Sequence, residues 1–290
     1  MKEPTTARGW AIFLSRIWGH HFPVDVQQIA LEYTRRFDDP ILEIAKADVP
    51  SFEGALYPLR KRGGWAILYN PSIRSPGRRN FTLAHEVGHY LVHRSGATGL
   101  LECGQSEVLG ATNDRNRKLL EQDADLFASY LLMPLDDFRS QFIGQRMTLE
   151  LLQHCAERYQ VSSTAAALKW LECTENCAVL VVATNGFVLW CMRSKRAARS
   201  RLFYPSGMPL PPRSLAAQPQ LALKAPSEGL ELPAGVWSST GHCREMAIFA
   251  DRYEMTISLI EFYDLTPPWF EDEEPIEDAF DRFTKVSSRE

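Results

Sequence analysis

Three histidines recur at intervals of four, His85, His89 and His93, inside a proline-free stretch whose other residues are largely apolar. Phe81-Thr82-Leu83-Ala84 lead into it and Tyr90-Leu91-Val92 follow, a periodicity that predicts one helix through all three. On a helix, residues i and i+4 stand about 6 Å apart along the axis and about 40° apart in azimuth. His85 and His89 can therefore each give one imidazole nitrogen to a single ion. Residue 86 is Glu, rotated about 100° from His85, so it is placed to reach a water held by such an ion. The stretch His85-Glu86-Val87-Gly88-His89 thus reads as a zinc pair with a base beside it. Zinc lowers the pKa of a bound water, and Glu86 can take that proton and return it to a leaving amine.

Five-residue patterns of this kind also arise by chance, and the bland reading is an amphipathic helix with two partly exposed histidines. Two features weigh for a site. Gly88 costs about 1 kcal/mol against Ala in a helix interior, so something is expected to pack close there. The other feature is a third ligand, since a catalytic zinc commonly has three protein ligands and one open position. His93 is about 12 Å from His85 along the axis, too far to share an ion at bond lengths of about 2 Å. It is expected as a neighbour of the site, where His93 or Tyr130 would contact substrate or steady an oxyanion. The longer pattern HExxHxxGxxH would need His at position 95, which is Ser95.

A second helix is predicted over roughly 117–133, with apolar residues at 120, 124, 127, 128, 131 and 132 forming one stripe. Glu121 and Asp125 flank that stripe, and acids so near an apolar face need a partner. Glu121 as third ligand and Asp125 as acceptor from a ligand histidine would supply both partners. The competing reading is a solvated acidic face pairing with Arg117 or Lys118.

These residues resemble the ImmA/IrrE family of zinc metallopeptidases. Arg79 to His89 is similar to that family's metal helix and its lead-in, Glu121 to Pro134 to its second motif, and Ala66-Ile67-Leu68-Tyr69-Asn70 to the strand before the metal helix. The resemblance spans about residues 24 to 135. Asp125 departs mildly from it, standing where many relatives carry Asn. The resemblance implies His85, His89 and Glu121 as ligands of Zn2+, a small sheet with the metal helix in a cleft, and a protein substrate. That substrate would be a helix-turn-helix repressor of the XRE type, cut to relieve repression in a stress response.

Composition narrows the alternatives. The net charge is −4, which gives no bulk attraction to nucleic acid or to an anionic membrane. No apolar run approaches the 18 residues of a membrane span, and no leader pattern is seen at the start, so a cytoplasmic location is expected. The six cysteines form no CxxC pair and read as reduced thiols.

The expected class is α+β. Residues 1–145 form a zincin-like peptidase domain, 146–174 a helix-turn-helix-like segment, and 175–290 an α+β domain with an acidic tail. Helices are expected over 6–18, with Trp10, Phe13, Ile17 and Trp18 on one side, and over 25–36. A hairpin is expected from Ala55–Leu59 to Trp65–Tyr69, then a loop from Ser72 to Asn80 holding Arg74, Arg78 and Arg79. Residues 95–116 read as a flexible connection, and Pro205 to Pro233 as an irregular one. Around Tyr159–Ser162 the layout is that of a DNA reader, but its second helix, Thr164 to Trp170, has a single Lys. Direct DNA binding is therefore disfavoured. Ala178 to Ala183 and Phe187 to Met192 are expected to form a hairpin around Thr184-Asn185-Gly186. Met255 to Phe262 alternates like a strand. For this C-terminal part the resemblance implies a GAF-like sensor. The basic run Arg193 to Arg201 lacks interleaved aromatics and reads as a solvated face.

The resulting expectation is a zinc-dependent metalloendopeptidase acting on a protein partner. The alternatives are a non-proteolytic, zinc-containing anti-repressor that acts by grip alone, and a DNA-binding regulator.

Overall fold

The computed structural model describes residues 3–48, 53–94, 101–103, 114–250 and 254–265. The chain divides into two compact units, Met1–Thr174 and Glu175–Glu290. Both combine helices with a sheet, as expected of an α+β chain. Residues 146–174 pack within the first unit.

The first unit opens with α1 (Ala7–Trp18), capped by the Thr6 side chain, which accepts from the Gly9 N–H. Its buried stripe is Ala7, Trp10, Ala11 and Leu14. Ile17, expected inward with Trp10, is instead 58% exposed. The predicted helix over 25–36 is three short pieces: α2 (Val26–Gln28), a π turn (Ile29–Tyr33) and a 3-10 turn (Thr34–Arg36). Thr34 explains the tight end. Its hydroxyl donates to the Ala30 carbonyl at 2.6 Å and accepts from the Ile41 N–H at 2.9 Å, turning the chain into the sheet.

That sheet holds β1 (Ile41–Lys46), β2 (Gly54–Leu59) and β3 (Gly64–Tyr69) in the order β1-β3-β2, with β4 (Leu101–Cys103) beyond β2. The hairpin expected at 55–69 forms with Leu59 opposite Gly64. The strand β1, parallel to β3, was not legible in the sequence because a parallel strand has no turn signal of its own. From the sheet the chain enters α3 (Pro76–His93), capped by Ser75, whose hydroxyl accepts from the Arg78 N–H. The helix starts at Pro76, inside the loop expected to end at Asn80, so Arg78 and Arg79 lie on its first turns. Leu83, Ala84, Val87, Tyr90 and Leu91 of α3 bury in one core with Leu56 and Ile67 of the sheet. The next helix, α4 (Asp114–Leu132), adds Phe127, Ala128 and Leu131 to that core. Most of the connection expected over 95–116 lies outside the described residues.

After α4 come α5 (Leu135–Ser140), α6 (Leu149–Tyr159) and α7 (Ser163–Cys173). Asp137 ties α5 to α6. It accepts from Arg158 Nε and Nη2 at 3.0 and 2.9 Å and from the Tyr159 hydroxyl at 2.6 Å. Gln160 turns the chain between α6 and α7 with φ of 48°.

The second unit is an antiparallel sheet of β5 (Cys177–Thr184), β6 (Phe187–Arg193), β7 (Leu230–Leu232), β8 (His242–Ala250) and β9 (Met255–Tyr263). Its order is β6-β5-β9-β8-β7. The hairpin at Asn185-Gly186 and the strand over 255–262 are present. The basic run carries a short helix, α8 (Lys195–Arg199), and the proline-rich stretch holds a helical turn, α9 (Pro219–Ala222), as well as β7. The acidic tail from Glu271 lies outside the described residues. No described helix is long and apolar enough to cross a membrane.

Candidate metal centre

Helix α3 crosses the sheet with His85 and His89 turned to α4. The two Nε2 atoms are 3.0 Å apart. From α4, the Glu121 carboxylate comes to 3.2 Å from His85 Nε2 and 3.7 Å from His89 Nε2. Donors about 2 Å from one ion at tetrahedral angles stand about 3.3 Å apart, so three groups this close fit a common metal. Two imidazoles and a carboxylate are also a chemically apt set for a catalytic zinc. Among the described residues, His85, His89 and Glu121 are the group that could hold a metal ion.

The far nitrogens of both rings are held as well. His85 Nδ1 is 2.9 Å from Asp125 Oδ1, and Asp125 can only accept. The proton therefore belongs on Nδ1, leaving the Nε2 lone pair for the metal. His89 Nδ1 lies 3.1 Å from His93 Nδ1, and His93 Nε2 lies 3.7 Å from Asp123. His93 thus stands behind His89, on the side away from His85, and Asp123 behind His93. The sequence reading found Asp125 but missed this Asp123–His93–His89 chain. Its only signal was the second four-residue step, from 89 to 93.

Glu86 is fully buried. Its neighbour is Gly54, the first residue of β2, where a Cβ would come within 2.8 Å of Glu86 Oε1 and 2.5 Å of the Thr82 methyl. Only a residue without a side chain leaves room there for the carboxylate. The close approach expected at Gly88 is also present: a Cβ would meet Ala124 Cα and Phe127 Cβ at 3.1 Å. Gly88 is what lets α4 come near enough to deliver Glu121.

Tyr130 does not join these residues. Nine positions beyond Glu121 on one helix is half a turn out of phase. Its hydroxyl donates to Glu172, with Lys169 Nζ 3.5 Å above its ring and Arg8 4.7 Å from it. Tyr130 is thus engaged by Glu172 and not by the His85–His89–Glu121 group, whereas His93 stands beside His89.

Charge is balanced within the cluster. Burial opposes protonation of His85, but hydrogen bonds to Asp125 and Glu121 and the Glu86 charge outweigh it, so its pKa is pushed up to about 9. Burial likewise opposes ionisation of Glu121, but its bonds with His85 and His89 hold it well below the usual carboxylate range. A cation entering between them would take the place of the His85 proton.

The model of the M78 peptidase family, described as an IrrE N-terminal-like domain, matches residues 37–171. No curated protein matches the chain at a significant level. Among solved structures, a Mycobacterium tuberculosis transcriptional regulator is similar in fold, with a TM-score of 0.50 at 14% identity, over 88% of this chain and 76% of that one. The matched span contains His85, His89 and Glu121, the neighbouring acids Asp123 and Asp125, α6 and most of α7, and over that span the chain carries an IrrE N-terminal-like domain of the M78 peptidase family.

Proposed function

We propose that the chain is a zinc-dependent endopeptidase with His85, His89 and Glu121 as ligands and Glu86 as general base. Its substrate is a protein partner, a helix-turn-helix repressor of the XRE type, whose cleavage relieves repression. The observation that carries this reading is the convergence of two imidazoles and a carboxylate, with a fully buried Glu beside the first imidazole. A bound zinc would supply an acidified water and polarise the scissile carbonyl. Glu86 would act as the base, holding a proton from the attacking water and delivering it to the leaving nitrogen. Asp125 and His93 hold the two rings so that each Nε2 lone pair stays turned to the ion. In the same reading the C-terminal unit is the GAF-like sensor that the family resemblance implies.

A ligand-only site needs no base beside it, so Glu86 favours cleavage over an anti-repressor that works by grip alone. The DNA-binding alternative loses its one basic residue on α7, because Lys169 is 2% exposed and ion-paired to Glu172 at 3.1 Å. The test is cleavage of a candidate repressor by zinc-loaded protein, wild type beside Glu86→Gln. The variant should bind metal and lose about 10²–10⁴-fold in rate. Equal repressor release by both would establish grip without proteolysis.

A further inference from the structure

The α6–α7 pair has the layout of a DNA reader, yet it stands against the first turn of the metal helix. Gly77, in that turn, is 2.9 Å from the Gln160 carbonyl and 3.0 Å from Val161, measured from where its Cβ would be. Any larger residue would push the two apart. Between them lies a cavity of about 370 Å³, walled by Phe81 of α3, by Val161 of the α6–α7 turn and by Ala165 and Leu168 of α7. That volume is within the roughly 300–1,000 Å³ of small-ligand sites. Arg78 and Glu53 line it as a pair, with Arg78 Nε donating to Glu53 at 2.9 Å. With their charges matched, the walls offer an entering group mainly carbon.

One side chain, Phe81, stands between the cavity and the metal cluster. Phe81 is one helical turn before His85, and their ring centroids are 6.4 Å apart. A polypeptide lying across the three ligands therefore has this recess within one or two residues of its reacting bond. We infer that the cavity is a specificity subsite for one large apolar side chain of the polypeptide substrate, with α7 as its far wall. This rests on the peptidase reading for the identity of the ligand. It also gives the helix-turn-helix layout a use that needs no nucleic acid: α7 is a packing wall that selects a side chain.

The experiment uses the full chain carrying Glu86→Gln, loaded with zinc, and fluorescein-labelled blocked hexapeptides. Each peptide holds Ala, Leu, Phe, Lys or Glu at one position, moved in turn along the six, and binding is read by anisotropy. At one position Leu and Phe should bind about tenfold or more tighter than Ala, and Lys and Glu no tighter than Ala. Ala165→Trp should fill the recess and erase that preference while zinc affinity holds. Leu168→Ala should widen it and favour Phe over Leu, so a failure of the bulkier variant to fold does not decide the matter. A flat ranking, no binding, or a ranking that neither variant alters overturns the subsite. A ranking altered by the variants, in a protein whose wild type cuts none of these peptides, keeps the subsite and counts against the peptidase. Cutting by wild type with a flat ranking does the reverse.

Discussion

Each unit buries a carboxylate completely, and the two are used in opposite ways. Glu245 of β8 accepts from the Leu215 and Ala216 N–H groups at 2.8 and 3.0 Å, the Trp237 indole at 2.8 Å and the Ser258 hydroxyl at 2.6 Å. Four donors from three separate places in the chain close around it, and it pins the segment before α9 to the sheet. Beside it Arg244 pairs with Glu261, both nearly buried. In the first unit two buried histidines and a half-buried carboxylate are aimed differently. The Nε2 atoms of His85 and His89 and the Glu121 carboxylate face one another within 3.7 Å. Two imidazole nitrogens turned to each other make at most one hydrogen bond between them, and a metal would satisfy both. A buried charge ringed by complementary donors holds a fold, whereas like ligands crowded on one point are arranged for something else to enter.

The comparison can be broken at three places. The largest effect is expected at Glu245→Ala, which strands two amide N–H groups, an indole and a hydroxyl. A loss of about 3 kcal/mol or more is expected in denaturant unfolding, with metal affinity of the first unit unchanged. A change in metal affinity would show that the two buried sets are not separate.

Next is the pH dependence of metal binding. The folded pKa of His85 is raised above its ordinary 6.5 to about 9. The stability this proton contributes to the metal-free protein is present below 6.5 and is lost as pH rises through about 9. Metal competes with the same proton, so apparent zinc affinity should climb about tenfold per pH unit from 7 and level off near 9. Competition titrations with a chelator would read it, and a flat profile would mean that His85 does not carry the ion. The smallest effect is expected at Asp125→Ala. Freed from its acceptor, the His85 ring should lose about tenfold in metal affinity, with the pH profile levelling off earlier. Unchanged affinity would reduce Asp125 to a surface acid.

How far the chain could be read in advance follows the range of each interaction. The His85, Glu86, His89 set depends on helical spacing alone, and Glu121 with Asp125 on one further helix, so both were legible. Asp123 and Gly54 were not, because each acts on a residue more than 25 positions away. β8 escaped notice for the same reason. Arg244 and Glu245 interrupt its apolar pattern, and they are tolerable inside only because Glu261, Trp237 and Ser258 come to meet them. Tyr130 shows the converse, since its helical position argued against the role first assigned to it.

Local chemistry along the chain therefore pointed to most of the helices, the two hairpins and the candidate pair His85 and His89 with Glu86 between them, since each follows from spacings of two to four residues. Long-range packing settled the rest: how close α4 comes to α3 across Gly88, which way each imidazole turns, and that α7 walls a recess beside Phe81 with its one lysine buried. Those outcomes depend on contacts between segments tens of residues apart, where side-chain volume and hydrogen-bond completion, rather than periodicity, choose the arrangement.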